Sequence, residues 1–210
     1  MIRRKKLNMK LIIASNNQNK VNEIKDICKD LNYEIVSLKD EGIFIDIIED
    51  GSTIEENSFK KANEIYKYIS KRGYENFLVL SDDSGIMVDY LNGEPGVLSA
   101  RFSGENSSDE KNSEKVLKLL DGVNYSKRGA KFLTVLTLID DNGKKNQFHG
   151  DIYGKILEEK RGENGFGYDS IFYIEEIQKT FAELSKDEKN LISHRYKALM
   201  KLREYFKTNM

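Results

Sequence analysis

The sequence predicts an α/β protein, and two observations lead to this prediction. Short apolar runs typical of buried strands alternate with longer segments whose apolar residues recur at helical spacing, and residues 11–14 and 20–31 form the first such pair. In addition, the chain of 210 residues has no linker rich in Pro, Gly or Ser, which favours one domain. We expect this domain over residues 10–210, after a flexible N-terminal extension over residues 1–9.

The first half of the chain continues the alternation of strands and helices. Residues 34–38 are a predicted strand, residues 53–69 a predicted helix and residues 77–80 a short buried strand. The residues that the helix is expected to bury are Phe59, Ala62, Tyr66 and Ile69.

The second half adds helices at both ends of a hairpin. The serine pair 107–108 offers an N-cap for a helix that runs to residue 120. Residues 130–139 and 145–153 are predicted paired strands, because the Asn-Gly sequence between them is typical of a hairpin. Residues 188–206 are predicted to pack as a helix on the core through the stripe Ile192, Tyr196, Leu199, Leu202 and Phe206.

The composition argues against nucleic-acid and membrane partners. Lys plus Arg total 34 and Asp plus Glu total 35, so any phosphate has to be bound by a local cluster of charges. The single cysteine, Cys28, cannot form an internal disulfide, and no apolar segment resembles a signal peptide or a membrane span. We therefore expect a cytoplasmic protein with no nucleic-acid and no membrane partner.

The most informative segment, residues 81–104, begins where the strand 77–80 meets two carboxylates, Asp82 and Asp83. Acids at the end of a buried strand are typical of a strand that delivers polar groups to a cleft. Because side chains alternate along a strand, an extended acid pair points to opposite faces, and one acid is expected to be the principal actor. Taken alone, however, the Asp-Ser-Gly sequence favours a turn after the strand.

Two clusters suit a phosphorylated ligand. A junction of short polar residues and a lysine precedes the first helix, where backbone N–H groups suit a polyphosphate, although an ordinary helix cap has the same composition. Its residues are Ser15, Asn16, Asn17, Gln18, Asn19 and Lys20. The second cluster, residues 49–62, opens with acidic oxygens of the kind that Mg²⁺ prefers. In it Lys61 lies one helical turn beyond Asn57, and the alternative is a run of capping acids.

Two further clusters suit a nucleobase. In residues 165–169, two glycines flank Phe166, whose ring can stack on a base while Asp169 accepts hydrogen bonds from the base edge. A glycine-rich turn with buried aromatic residues is the alternative. In residues 189–195, His194 and Arg195 concentrate donors near a helix start, although a lone histidine is more often structural.

Together these clusters resemble the inosine/xanthosine triphosphate pyrophosphatases, which hydrolyse non-standard purine nucleoside triphosphates to the monophosphate and pyrophosphate. The resemblance runs from about residue 10 to residue 202 and preserves the order of five motifs, which begin at Ser15, Glu49, Asp82, Gly165 and Ala182. It implies an elongated mixed β-sheet flanked by helices, with two lobes and a central cleft, and it implies a homodimer.

The resemblance also assigns roles in a Mg²⁺-dependent attack of water on the α-phosphate of a small-molecule nucleoside triphosphate. Asp83 matches the proposed base, which also contacts the metal, and Glu49 matches the other metal-binding acid. Lys20 and Lys61 match phosphate-binding lysines, and residues 15–19 match the turn that surrounds the phosphates. Ser84 matches a substrate contact.

The base pocket implied by the resemblance consists of Phe166, Gly167, Tyr168, Asp169, Lys189, His194 and Arg195. Hypoxanthine and xanthine present O6 as an acceptor and N1–H as a donor, so Arg195 or His194 can donate to the first while Asp169 accepts from the second. Adenine reverses both groups, and each mispaired buried group costs about 1–3 kcal/mol. The resemblance implies ITP, dITP and XTP as substrates, and guanine, which shares O6 and N1–H, has to be rejected through its 2-amino group.

Two other functions stay open at this point. A pyrophosphatase of related fold that acts on pyrimidine or methylated nucleotides would share the phosphate clusters, but the base pocket argues against it. A nucleotide-binding regulator without turnover would keep the lysines and the base pocket and would not need Glu49 or Asp83. Because both acids are present, turnover is favoured.

Overall fold

The computed structural model describes residues 9–209 and divides them into two compact units. The first unit contains residues 9–51, 55–83 and 135–148, and the second contains residues 52–54, 84–134 and 149–209. The predicted N-terminal extension lies outside the described residues except for Met9, whose carbonyl accepts a hydrogen bond from the Glu34 N–H at 3.1 Å.

Seven strands within residues 9–209 form one mixed sheet. They are β1 (Lys10–Ala14), β2 (Glu34–Ser37), β3 (Phe77–Val88), β4 (Gly129–Asp140), β5 (Lys145–Ile156), β6 (Phe172–Ile174) and β7 (Lys179–Thr180), in the spatial order β2-β1-β3-β4-β5-β6-β7. Strand β1 pairs in parallel with β2 and β3, whereas β6 pairs antiparallel with β5 and β7. The predicted α/β class with a mixed sheet is confirmed, and the two short strands β6 and β7 were not predicted.

The helices are α1 (Gln18–Cys28), α2 (Ile54–Ser70), α3 (Asp109–Leu119), α4 (Lys186–Ile192) and α5 (His194–Asn209). None of those within residues 9–209 has the length and apolar content needed to cross a membrane. Ser108 caps α3, since its side chain accepts the Lys111 N–H at 3.2 Å. The prediction of a single helix over 188–206 is wrong, because Ser193 has an extended backbone with ψ 158° and separates α4 from α5.

The core of the first unit packs α2 against the parallel strands through aliphatic residues such as Ile12, Ala62 and Ile65. The buried face of α2 also carries Ser58, whose Oγ donates to the Val135 carbonyl at 2.8 Å and lies 2.8 Å from Thr137 Oγ1. The expected burial of Phe59 is wrong: the side chain is 36% exposed, because the adjacent Ser58 takes the position facing the sheet.

The second unit has a core rich in aromatic rings. The ring of Phe132 lies 4.7 Å from Phe172 and 5.8 Å from Phe181, centroid to centroid. Arg128 in the same unit is buried and donates from Nε to the Ile156 carbonyl at 2.8 Å, from Nη1 to the Leu120 carbonyl and from Nη2 to the Leu157 carbonyl. This guanidinium therefore joins the end of α3 to the end of β5.

Strand β3 is longer than the sequence predicts. It continues through Asp82, Asp83 and Ser84 to Val88, and residues 77–83 are all buried. The turn favoured by the Asp-Ser-Gly sequence is wrong, because the edge of β1 pairs with β3 as far as Ser81 and the strand remains extended beyond it. The acids therefore lie within a strand, where their side chains alternate.

Candidate active site

The two acids of β3 form ion pairs with lysines from two different helices. Asp82 is fully buried, and its Oδ1 lies 2.8 Å from the Nζ of Lys20 on α1. Asp83 is 6% exposed, and its Oδ1 accepts a hydrogen bond from the Nζ of Lys61 on α2 at 2.9 Å. Since neighbouring residues of an extended strand point to opposite faces, α1 and α2 reach β3 from opposite faces.

Lys61 contacts a second carboxylate as well. Its Nζ lies 3.2 Å from Glu49 Oε1, so one ammonium is shared by Glu49 and Asp83. Burial lowers the pKa of Lys61, but the charges of Asp83 and Glu49 outweigh burial and raise its pKa above the usual lysine value. Lys61 therefore remains charged at neutral pH.

Asp83 has the electrostatic setting of a general base. Burial raises the pKa of its carboxyl above the usual aspartate value, and the nearby Lys61 and Lys20 only partly oppose this effect. A carboxylate whose pKa is raised holds a proton more readily than an ordinary aspartate does, and this property suits a group that accepts a proton from water.

The acids of this cluster fit a Mg²⁺ ion. Within residues 9–209 no group of three His, Cys, Asp or Glu side chains stands ready to bind a metal ion. Mg²⁺, however, usually keeps several waters and takes one or two carboxylates together with substrate phosphates. Glu49 and Asp83 meet this requirement, because both already contact the single cation Lys61 Nζ.

The predicted phosphate turn lies at the start of α1. Asn17 is the N-cap, and its Oδ1 accepts the N–H groups of Asn19 at 3.0 Å and Lys20 at 3.2 Å. The residues on either side, Asn16 and Gln18, are exposed. The cap therefore organises the turn and leaves exposed polar side chains beside it.

The predicted base-binding residues lie in the second unit, around one buried ion pair. Asp169 Oδ2 accepts the Nζ of Lys189 at 2.5 Å, and both side chains are at most 6% exposed. The same oxygen accepts the Phe166 N–H at 2.9 Å. Lys189 Nζ lies 4.5 Å from the Phe166 ring centroid, and the guanidinium carbon of Arg195 lies 5.9 Å from it. Two cations therefore lie close to this ring.

His194 and Arg195 begin α5 and are both buried. The imidazole of His194 stacks on Phe132 at 4.7 Å with an interplanar angle of 8°. Arg195 donates from Nη2 to Ser84 Oγ at 3.1 Å, and this oxygen lies 2.8 Å from Thr134 Oγ1. The structure therefore brings Ser84 and Arg195 together, although they are far apart in the sequence.

Sequence reasoning missed the residues that hold the glycine-rich loop in place. The Gly167 N–H donates to Asp109 Oδ2 at 2.7 Å, and the Gly167 carbonyl accepts from Ser113 Oγ at 3.0 Å. A cavity of about 300 Å³ lies between this start of α3 and residues 160–170. In the sequence, Asp109 is only an acid in the first turn of a helix, and nothing local indicates that α3 meets this loop.

A mixed sheet that carries paired lysines and carboxylates on β3, just beyond its parallel pairing with β1, defines the class as an α/β protein equipped for a phosphorylated ligand. The Ham1 family profile matches residues 11–205, so the chain belongs to the Ham1 family.

Relatives support this membership over nearly the whole chain. The dITP/XTP pyrophosphatase of Clostridium perfringens is 54% identical over 198 residues, which cover 94% of this chain and 97% of the relative. The dITP/XTP pyrophosphatase of Caldanaerobacter subterraneus is 51% identical, with coverage of 94% and 96%. The solved structure of the Staphylococcus aureus Ham1 protein is 41% identical and superposes with a TM-score of 0.83, covering 96% of this chain and all of that one.

Proposed function

We propose that the protein hydrolyses the non-canonical purine nucleoside triphosphates ITP, dITP and XTP to the nucleoside monophosphate and pyrophosphate, and so removes them from the nucleotide pool. Membership of the Ham1 family and the names of its close relatives support this activity. The structural observation that carries the proposal is the shared contact of Glu49 and Asp83 with Lys61, since it combines two carboxylates and a cation in one cluster, in which Asp83 and Lys61 are buried.

Asp83 is the base in this proposal. Its carboxylate accepts a proton from a water molecule while the water oxygen bonds to the α-phosphorus. The bond between the α-phosphorus and the oxygen that bridges the α and β phosphates breaks, and its electron pair leaves with pyrophosphate. Lys20 and Lys61 contact the non-bridging phosphate oxygens, where they stabilise the charge that develops as the bond breaks. Residues 15–19 bind the phosphates through their polar side chains and the N–H groups at the start of α1.

Mg²⁺ is the proposed cofactor, with Glu49 and Asp83 as its protein ligands. When bound, the ion neutralises phosphate charge and polarises the phosphoryl oxygens. Asp82 pairs with Lys20, while Glu49 and Asp83 share Lys61, so these ion pairs bring together three carboxylates and two lysines. Carboxylates repel a triphosphate, and a divalent cation offsets that repulsion.

In the proposed recognition of the base, Phe166 stacks on the purine and Ser84 contacts the substrate. Arg195 or His194 donates to O6, and Asp169 accepts from N1–H. The buried Asp169–Lys189 pair supports this assignment, because it keeps a carboxylate beside the backbone of Phe166. Gly167 and Tyr168 complete this loop. We further propose that the enzyme acts in the cytoplasm as a homodimer.

The test is pyrophosphate release in the presence of Mg²⁺ from ITP, dITP, XTP, GTP, ATP, dUTP and TTP. We expect the highest kcat/KM for ITP, dITP and XTP, and removal of the metal with EDTA should abolish release. Equal rates for ATP would contradict the specificity, and faster hydrolysis of dUTP or TTP would favour a pyrimidine pyrophosphatase. Tight ITP binding without product would indicate a regulator.

The role of Asp83 has its own test. The Asp83→Asn variant keeps the shape of the side chain but cannot accept the proton, so kcat for dITP should fall about 10²- to 10⁴-fold. The matched control is Asp50→Asn, because Asp50 is an exposed acid of the same unit that pairs with Lys60. Full activity of the Asp83 variant would remove the proposed base.

A further inference from the structure

A buried asparagine, Asn57, lies beside the acid–lysine cluster and has no assigned role. Its side chain is fully buried in α2, and its Oδ1 accepts the N–H of Gly51 at 2.7 Å. Its Nδ2 is buried and has no hydrogen-bond partner among residues 9–209. A buried amide with an unused donor is costly, so packing alone does not account for an asparagine at this position.

Asn57 and Lys61 lie one turn apart on the buried face of α2 and contact the same loop at two points. Asn57 binds the backbone of Gly51, whereas Lys61 binds the side chain of Glu49 at 3.2 Å. Residues 43–51 belong to no helix or strand, so regular hydrogen bonding does not position Glu49. The contacts with α2 take over that task.

The Asn57–Gly51 contact leaves no space for a side chain on the loop. A Cβ at Gly51 would lie 2.7 Å from Asn57 Oδ1 and 2.9 Å from the Cβ of Glu56. Both of these atoms belong to α2, whose backbone is held by its own helical hydrogen bonds. The same contact is therefore accessible to mutation from both of its sides.

We propose that Asn57 is a positioning residue: through the Gly51 N–H it holds the loop that presents Glu49 to the metal. This inference rests on the proposed function, because it takes Glu49 as a metal-binding acid. Residues that orient a metal ligand typically change metal affinity by about 10- to 100-fold when they are removed.

Two variants separate the acceptor of Asn57 from its donor. Asn57→Ala removes both and keeps a strong helix former in α2. Asn57→Asp keeps an oxygen for the Gly51 N–H and removes the donor. Gly51→Ala attacks the contact from the other side. Asn22→Ala is the matched control, because Asn22 is an exposed helical asparagine of α1 that accepts from Gln18.

The first measurement, amide hydrogen exchange at Gly51, needs neither metal nor substrate. We expect exchange to become about tenfold faster in Asn57→Ala and to stay near the wild-type rate in Asn57→Asp. The second measurement is Mn²⁺ binding to the nucleotide-free protein. Binding is monitored through the decrease of the electron paramagnetic resonance signal of the free ion. The dissociation constant should rise about 10- to 100-fold in Asn57→Ala and Gly51→Ala, and it should not rise in Asn57→Asp or Asn22→Ala.

Glu49→Gln provides the reference for loss of the metal ligand. If it weakens Mn²⁺ binding while Asn57→Ala and Gly51→Ala do not, Asn57 does not position Glu49. An equal loss in Asn57→Asp would also overturn the inference, since the Gly51 contact would then be irrelevant. No loss in Glu49→Gln would overturn it as well. Failure of the proposed function appears separately, as a wild-type protein that binds Mn²⁺ and releases no pyrophosphate from dITP.

Discussion

The acid–lysine cluster of the first unit and the Asp169–Lys189 cluster of the second unit differ in their balance of acidic and basic side chains. In the first unit, three carboxylates, Glu49, Asp82 and Asp83, form ion pairs with two lysines. In the second unit, a single buried carboxylate, Asp169, meets Lys189, and Arg195 adds a further cation beside the Phe166 ring. In the proposed function, the first arrangement binds phosphates together with a cation, whereas the second offers donors and an aromatic face to an uncharged base.

This difference predicts which substitutions alter rate and which alter selectivity. In the first cluster, Glu49 and Asp83 both pair with the ammonium of Lys61, so a substitution of one residue affects the others. In the second cluster, the Asp169–Lys189 ion pair lies beside the backbone of Phe166, in the loop that we propose recognises the base. We therefore expect rate defects from the first unit and defects of discrimination from the second.

The largest effect is expected from Lys61→Met, with the adjacent Lys60→Met as the control. Lys61 is buried between two carboxylates, whereas Lys60 pairs with Asp50 at the surface. Loss of Lys61 should lower kcat/KM for dITP by about 100-fold or more, and loss of Lys60 should change it by no more than about threefold. Steady-state kinetics, with melting curves to establish that both variants are folded, provide the measurement. Equal defects in the two variants would break the comparison.

An intermediate effect is expected from Asp169→Asn. The variant keeps the shape of the side chain but removes the charge that Lys189 binds, so the selectivity for dITP over dATP should fall about 5- to 100-fold. Competition between the two nucleotides measures this ratio directly. Asp187→Asn is the control, because Asp187 is exposed in the first turn of α4. A lowered kcat for dITP at unchanged selectivity would place Asp169 with the rate-determining residues instead.

The smallest expected effect is a shift of the Asp83 pKa in the metal-free protein. Burial raises the pKa of Asp83, and Lys61 opposes burial while Glu49 adds to it. Carboxyl NMR should therefore find the Asp83 pKa above the usual aspartate value, higher still in Lys61→Met and lower in Glu49→Gln. The pKa of Asp83 is higher in the folded protein than in the unfolded chain. Deprotonation of Asp83 therefore lowers the free energy of unfolding as the pH rises from the unfolded-state pKa through the folded-state pKa. A pKa below the usual value would contradict this electrostatic account.

Much of the first unit follows from local sequence patterns. The parallel strands and their helices have regular apolar spacing, and the alternation of Asp82 and Asp83 follows from strand geometry once the strand is known to continue. The continuation itself was not predicted, because Ser84 and Gly85 favour turns locally, whereas the structure keeps β3 extended to Val88. Tertiary pairing overrides local propensity at this position.

Other features depend on contacts between distant parts of the chain, and no local pattern shows them. The hydrogen bond from Arg195 to Ser84 joins residues 111 positions apart, and the hydrogen bond from the Gly167 N–H to Asp109 joins residues 58 positions apart. The break at Ser193 is of the same kind: the apolar stripe continues through it, but the backbone turns so that His194 and Arg195 begin a new helix.

The guanidinium of Arg128 contacts the main chain and not the side chains of its partners. All the hydrogen bonds of its guanidinium within residues 9–209 go to main-chain carbonyls, those of Leu120, Val123, Ile156 and Leu157. A substitution at any of these four positions leaves the carbonyl in place, whereas a lysine at position 128 would offer one compact ammonium in place of a planar fork. We therefore expect the four apolar positions to tolerate other residues of suitable size. The hydrogen bonding that joins the end of α3 to the end of β5, by contrast, depends on the side chain of Arg128.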